Sequence, residues 1–235
     1  MGEAGLIGDQ GASFLFFPEK ITSIRPGDRV LEIGPGGMPH PRSNVFLELK
    51  YSDDNEWRLQ RGCTEKLRTD KPIVYYNGDT FPFSEGEFDY IVCSHVLEHV
   101  QDVKHFLAEM FRVGTRGYIE YPTIYYEYLY NFAVHLNFLR YKGDKLLYLK
   151  KSNTHLSDFS SVQSLFSKSL EKGHINLVND LRDFMFEGFE WNSPFPVDEA
   201  HSISQLALDG FNVPARSGHQ CSIRSLVNSY ISKIF

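Results

Sequence analysis

The residues in this chain best suited to chemistry gather at the ends of short apolar runs. The first group is VLEIGPGG at 30–37, an apolar run that passes directly into Gly34-Pro35-Gly36-Gly37. Glycines at such a junction let the backbone turn tightly, and they let a ligand lie against bare amides that a Cβ would obstruct. A phosphate-cradling GxGxxG loop would need its third glycine where Pro39 stands, and the Lys-Ser/Thr ending of a P-loop is missing. A ligand without a pyrophosphate therefore fits better. The second group is Glu48, near the end of the next apolar run, where a carboxylate beside a glycine loop can accept both hydrogen bonds of a ribose diol. Gly78-Asp79 follows the third run and offers a carboxylate to an adenine amino group, although Gly-Asp is also a common turn.

Two further residues are candidates for moving a proton. His95 follows an apolar run directly, and imidazole titrates near neutral pH, which makes it the first choice for a general base. Glu120, near the end of the fifth run, is the second. Each has a plainer alternative: His95 lining a ligand or capping the next segment, Glu120 facing a structural partner. His99 reads as an orienting residue, and His135 as a group that reaches in from an aromatic segment. His95-Val96-Leu97-Glu98-His99 also spells H-x-x-E-H, the pattern of inverted zinc metallopeptidases, which needs both histidines on one helical face. With His95 at a strand end that context is not expected, and neither is a metal. A zinc hydrolase built on His95, Glu98 and His99 is kept as the alternative from another reaction class.

These residues need a scaffold that brings strand ends together. Apolar runs at 28–34, 44–49, 72–76, 88–94 and 116–122, broken by Gly, Pro and Asp, predict five buried strands. Val103, Phe106, Leu107, Met110 and Phe111 fall at helical spacing behind Asp102, which predicts an amphipathic helix with an acidic cap. Strands alternating with helices imply parallel pairing, hence an α/β, Rossmann-like, mostly parallel sheet with helices on both faces. After Pro122 the chain turns aromatic, and Tyr121, Tyr125, Tyr126, Tyr128 and Phe132 are expected to wall an acceptor site. Runs at 138–151 around Lys142-Gly143-Asp144 predict a hairpin that, with Trp191, covers the open end of the site. Helical spacing from Phe159 to Leu170 predicts another helix with Asp158 as its cap, and 187–198 supplies a further strand. Residues 1–235 are expected to form one domain, with 1–122 as the ligand-binding core and 123–235 as a substrate-side elaboration.

Composition narrows the field. The 235 residues are 42% hydrophobic and 23% charged, which suits a buried core and excludes collagen, coiled coil and wholesale disorder. Thirty acidic residues against 24 basic ones give a net charge of −6, so no overall field draws the chain to nucleic acid or anionic lipid. Three cysteines, Cys63, Cys93 and Cys221, stand far apart without CxxC pairing, which suggests a reducing compartment. No apolar stretch approaches the ~20 residues that span a bilayer, and the first residues lack a signal-peptide pattern. A cytoplasmic location without a membrane span is the expectation.

Taken in order, VLEIGPGGMPHPRSNVFLEL followed by GDTFPFSEGEFDYIVCSHVLEHVQDVKHFLAEMFRVGTRGYIEYP resembles class I S-adenosylmethionine-dependent methyltransferases, especially the broad type 11 subgroup that includes quinone-biosynthesis enzymes. The likeness covers residues 28–122. It implies S-adenosylmethionine as cofactor. Glu32, Gly34 and Gly36 match the motif that wraps its methionine part, Glu48 the acid on the ribose, and Asp79 the acid on the adenine side, followed by Thr80 and Phe81. Ser94 and His95 match the fourth strand's end near the methionyl group. The family's third motif glycine is Met38 here, with Gly37 beside it. The implied reaction is methylation of a small-molecule or glycan hydroxyl, with a surface-polysaccharide precursor preferred and a quinone or lipid-like acceptor as the alternative. A dinucleotide oxidoreductase and a non-catalytic nucleoside-binding module are the remaining rivals.

Overall fold

The computed structural model describes residues 15–53, 67–173 and 176–209; Cys63, Cys221 and the segment after 209 lie outside them. The five expected strands form as β1 (Val30–Ile33), β2 (Val45–Leu49), β3 (Ile73–Tyr76), β4 (Tyr90–Ser94) and β5 (Gly117–Pro122). They join β8 (Phe186–Trp191) in a six-stranded sheet of order β3-β2-β1-β4-β5-β8. All neighbours run parallel except β5 and β8. The hairpin turns as expected, β6 (Asn137–Lys142) against β7 (Lys145–Lys150), and β9 (Val197–Glu199) adds a third strand beside β7.

Alternation along each strand sorts side chains onto two faces. Leu31, Ile33, Leu47, Ile91, Cys93 and Ile119 point to the face covered by α1 (Val103–Val113). That helix starts where Asp102 accepts the His105 amide at 3.0 Å, and it buries Val103, Phe106, Leu107, Met110 and Val113. Leu139 and Leu146 of the hairpin join the same core, as does Trp191. The opposite face carries Val30, Tyr90, Val92 and Tyr118, covered by Leu15, Ile21 and Ile24 of an extended N-terminal stretch.

Two crossovers among the described residues do without a helix. Residues 34–44 run from β1 to β2 as loop, and Pro39 and Pro41 explain it: each lacks an amide proton and biases the residue before it away from helix. Residues 77–89 join β3 to β4 in the same way, anchored by buried Phe81 and Phe88.

The chain beyond β5 corrects several sequence expectations. In α2 (Ile124–Tyr130) successive residues are rotated by about 100°, so the tyrosines divide instead of forming one wall. Tyr125 and Tyr128 pack with Phe138 and Leu149 of the hairpin, whereas Tyr126 packs with Phe186 and Phe132 in another cluster. Tyr121 is fully buried and donates to Glu187 at 2.7 Å. Trp191 sits edge-on to Phe111 inside the core and covers no opening. Asp158 lies in a 3-10 turn, and α3 (Ser160–Glu171) begins after Phe159 with no side-chain cap.

Candidate active site

The strand order reverses direction between β1 and β4, and in open α/β sheets ligands bind at the carboxyl ends of the strands beside such a switch. The expected residues collect there. Ile33 pairs with Leu47 on one side and Cys93 on the other, so one position further on Gly34 lies between Glu48 and Ser94. Ser94 in turn pairs with Glu120. Glu48, Gly34, Ser94 and Glu120 thus share one rung at the sheet's carboxyl edge, on the face away from α1, with Glu32 one rung below.

Gly34 is where the glycine loop needs its glycine. Its φ is +61°, and a Cβ there would lie 2.7 Å from Val96 Cγ2 in the turn after β4. Its amide donates to Leu47 O at 2.9 Å, which ties the loop to β2. Gly36 and Gly37 follow in open loop without a left-handed φ. Glu32 is buried and orders this loop from below: its Oε2 accepts the His40 amide at 2.9 Å and the Ser43 hydroxyl at 2.6 Å. Burial pushes the Glu32 carboxyl up to about 7, only partly offset by those two donors. Glu48 is buried at the end of β2, where its Oε1 accepts the Leu49 amide at 3.2 Å. Asp79 and Thr80 lie exposed beyond β3, with the Asp79 carboxylate 3.2 Å from His105 Nε2 on α1.

At His95 both ring nitrogens already have partners. This residue adopts a left-handed φ of +54°, uncommon for a non-glycine residue and a form of strain that concentrates at functional sites. Both ring nitrogens are engaged, Nδ1 with Glu98 Oε1 at 3.2 Å and Nε2 with Glu120 Oε1 at 3.1 Å. Burial pulls the imidazole's pKa down, but the two carboxylates overcome it and hold the value up to about 10. An imidazolium with both protons committed has no lone pair for a substrate proton. Phe16 and Phe186 stand edge-on to the ring at 5.5 and 5.4 Å.

Glu120 likewise serves as a hub. Fully buried, it accepts the Phe16 and Phe17 amides at 3.0 Å each, the Ser94 hydroxyl at 3.0 Å and the Tyr118 hydroxyl at 2.6 Å. Gly188, opposite Glu120 on β8, makes room for that tyrosine: a Cβ would lie 2.1 Å from the Tyr118 oxygen. Burial favours the neutral acid, but His95 and the other donors bring the Glu120 carboxyl below its ordinary value. Sequence reasoning missed Phe16, Tyr118 and Phe186, since nothing local in their surroundings points toward the end of β4.

The H-x-x-E-H stretch is not helical; residues 97–99 form a turn, and His95 faces Glu120 while His99 donates from Nδ1 to Val134 O at 3.2 Å. The helical context of a metallopeptidase is therefore absent. A separate cleft of about 470 Å³, lined by Tyr128, Leu149, Thr154, Glu199 and His201, contains none of the expected catalytic or cofactor-binding residues, and Tyr128 of the expected acceptor wall faces it instead. Among the described residues no helix is long and apolar enough to cross a membrane.

Residues 52–119 match the family described as a methyltransferase domain. The chain is similar to the demethylmenaquinone methyltransferase of Renibacterium salmoninarum, 29% identical over 118 residues, covering 44% of this chain and 49% of that one. It thus spans about half the length of the curated relative it matches. Among solved structures it is similar to a SAM-dependent methyltransferase from Methanosarcina mazei (18% identity, TM-score 0.33, covering 54% of this chain and 72% of that one). A second is an S-adenosylmethionine-dependent methyltransferase from Mesorhizobium loti (17% identity, TM-score 0.31, covering 44% and 50%).

Proposed function

We propose that this chain, which carries a methyltransferase domain at residues 52–119, binds S-adenosylmethionine across the carboxyl ends of β2, β1 and β4 and methylates a small molecule. The observation that carries this reading is the shared rung: a buried carboxylate at Glu48, a residue without a side chain at Gly34 and a hydroxyl at Ser94, placed side by side at the sheet's switch point. These residue types fit a nucleoside joined to an amino acid. Glu48 would take the ribose diol, the loop at Gly34-Pro35-Gly36-Gly37 would lie along the methionine part, and Asp79 with Thr80 would border the adenine.

When bound, the cofactor supplies a methyl group already activated by its sulfonium. The chain then has mainly to hold an acceptor in line, and alignment of that kind contributes up to ~7–11 kcal/mol. His95 and Glu120 act here as positioning residues. Their ion pair fixes the end of β4, and Phe16, stacked on buried Phe186 at 3.7 Å on one side of His95, gives the acceptor an apolar border. The acidic net charge and the aromatic border favour an uncharged acceptor such as a sugar hydroxyl over nucleic acid. A quinone is the second reading, favoured by the activity named for the Renibacterium relative.

The test is calorimetry with S-adenosylhomocysteine on the full chain and on Glu48→Ala. The expected result is binding by the wild type and an affinity at least tenfold weaker in the variant. Equal affinity in both, or no binding by folded wild-type protein, would overturn the assignment.

A further inference from the structure

Outside that rung lies a second cluster of titratable groups, on the turn after β4 and the segment before β6. We propose that Glu98, His99 and His135 form a binding site for one divalent transition-metal ion, zinc by its donor set. Candidate ligand atoms of the three residues lie within 4.8 Å of one another. Glu98 is fully buried, and among the described residues its Oε2 has no hydrogen-bond partner, whereas Oε1 is used by His95. A carboxylate oxygen left unpaired in the interior is costly, and a cation is what such an oxygen lacks.

Both histidines are hydrogen-bonded through Nδ1, which leaves Nε2 as the nitrogen open to a ligand. His99 Nδ1 contacts the Val134 carbonyl, an oxygen that can only accept, so Nδ1 carries the proton and Nε2 keeps its lone pair. His135 Nδ1 is hydrogen-bonded to the Glu127 carboxylate, which is itself held by Lys151 Nζ at 2.7 Å. This carboxylate-to-histidine arrangement sets tautomer and ring direction in metal sites. Among the described residues neither Nε2 has a hydrogen-bond partner, and the two rings meet edge to face at 4.6 Å.

The frame is built in advance. Glu98 O accepts the Leu136 and Asn137 amides at 2.6 and 3.1 Å, and Asn137 Nδ2 donates to Leu97 O at 3.0 Å and Val100 O at 2.8 Å. Two imidazole nitrogens and one carboxylate oxygen suit zinc and leave one coordination position open. This is not the H-x-x-E-H reading, because His95 is committed to Glu120 and the third ligand comes from distant His135. Through its two oxygens, Glu98 would couple the ion to His95.

The proposal is tested by stripping the purified full chain with a chelator and titrating it with Co²⁺ alone, followed by elemental analysis after reloading with Zn²⁺. One ion per chain and a visible cobalt absorption band are expected. Both should disappear in Glu98→Gln and His135→Ala and persist in His155→Ala, whose imidazole is 95% exposed. Glu127→Gln keeps all three ligands and should weaken Co²⁺ affinity about 10–100-fold, so it decides the matter if His135→Ala fails to fold. Absence of a band, or equal stoichiometry in wild type and ligand variants, overturns the proposal. S-adenosylhomocysteine calorimetry on the same samples keeps the two readings apart: metal retained without cofactor binding would sink the methyltransferase assignment and leave this site standing.

Discussion

Replacing Glu120 by glutamine separates a structural hub from a catalytic base. In the wild type one carboxylate oxygen accepts from the Phe16 amide, the Ser94 hydroxyl and His95, while the other accepts from the Phe17 amide and the Tyr118 hydroxyl. A glutamine must point its NH2 at one of these sets. The Tyr118 hydroxyl can turn and accept, but a backbone amide cannot, so at least one buried N–H faces another donor at a cost of about 1–3 kcal/mol. His95 also loses one of the two carboxylates that hold it as a cation. Together these effects predict a loss of about 3–4 kcal/mol, which for a chain of this size lowers the melting temperature by about 10 °C. Glu120→Ala leaves the Phe16 and Phe17 amides, the Ser94 hydroxyl and His95 Nε2 without this acceptor, while Tyr118 keeps Phe17 O at 3.4 Å, and it should cost more. Thermal unfolding by circular dichroism, run beside methyl transfer from labelled cofactor, is the assay. A glutamine variant melting within about 2 °C of wild type with methyl transfer abolished would refute the argument and restore Glu120 as a base.

Two further variants probe the glycine loop from either side. Gly34→Ala forces a left-handed φ on a residue with a Cβ, at roughly 1–2 kcal/mol, and sets that Cβ against Val96. Its melting temperature and S-adenosylhomocysteine affinity should fall, and both should partly recover when Val96→Ala is added; no recovery would show that the close approach is not the cause. Glu32→Gln tests the buried carboxyl below the loop. Because the folded pKa is raised from 4.5 to about 7, its stabilising contribution is complete below 4.5 and is lost as pH rises through about 7. At ~1.4 kcal/mol per pH unit, urea unfolding should show the wild type losing about 3 kcal/mol relative to Glu32→Gln over that window. Parallel pH profiles would contradict it.

Much of the scaffold was legible because its causes are local. Apolar runs bounded by Gly, Pro and Asp marked β1 to β5, helical spacing behind Asp102 marked α1, and Lys142-Gly143-Asp144 marked the hairpin. The helix-free first crossover departs from the expected alternation of strands and helices, and its cause is local, in Pro39 and Pro41. The order of acids and glycines followed from strand ends, and parallel pairing then brings Glu48, Gly34 and Ser94 to one edge. Periodicity says which residues share a face of one element, but it carries no information about what lies opposite.

That second question belonged to the tertiary structure. The Glu120 carboxylate meets the amides of Phe16 and Phe17 more than a hundred residues away, a contact that no local pattern around Glu120 signals. The tyrosines of α2 separate because two different surfaces press on the helix, one from the hairpin and one from Phe186. His99 and His135 come together only because the backbone at Leu136 and Asn137 docks on Glu98. Hydrogen-bond partners and charge states depend on distances through space, and those are set only when separate elements, each readable by itself, are packed against one another.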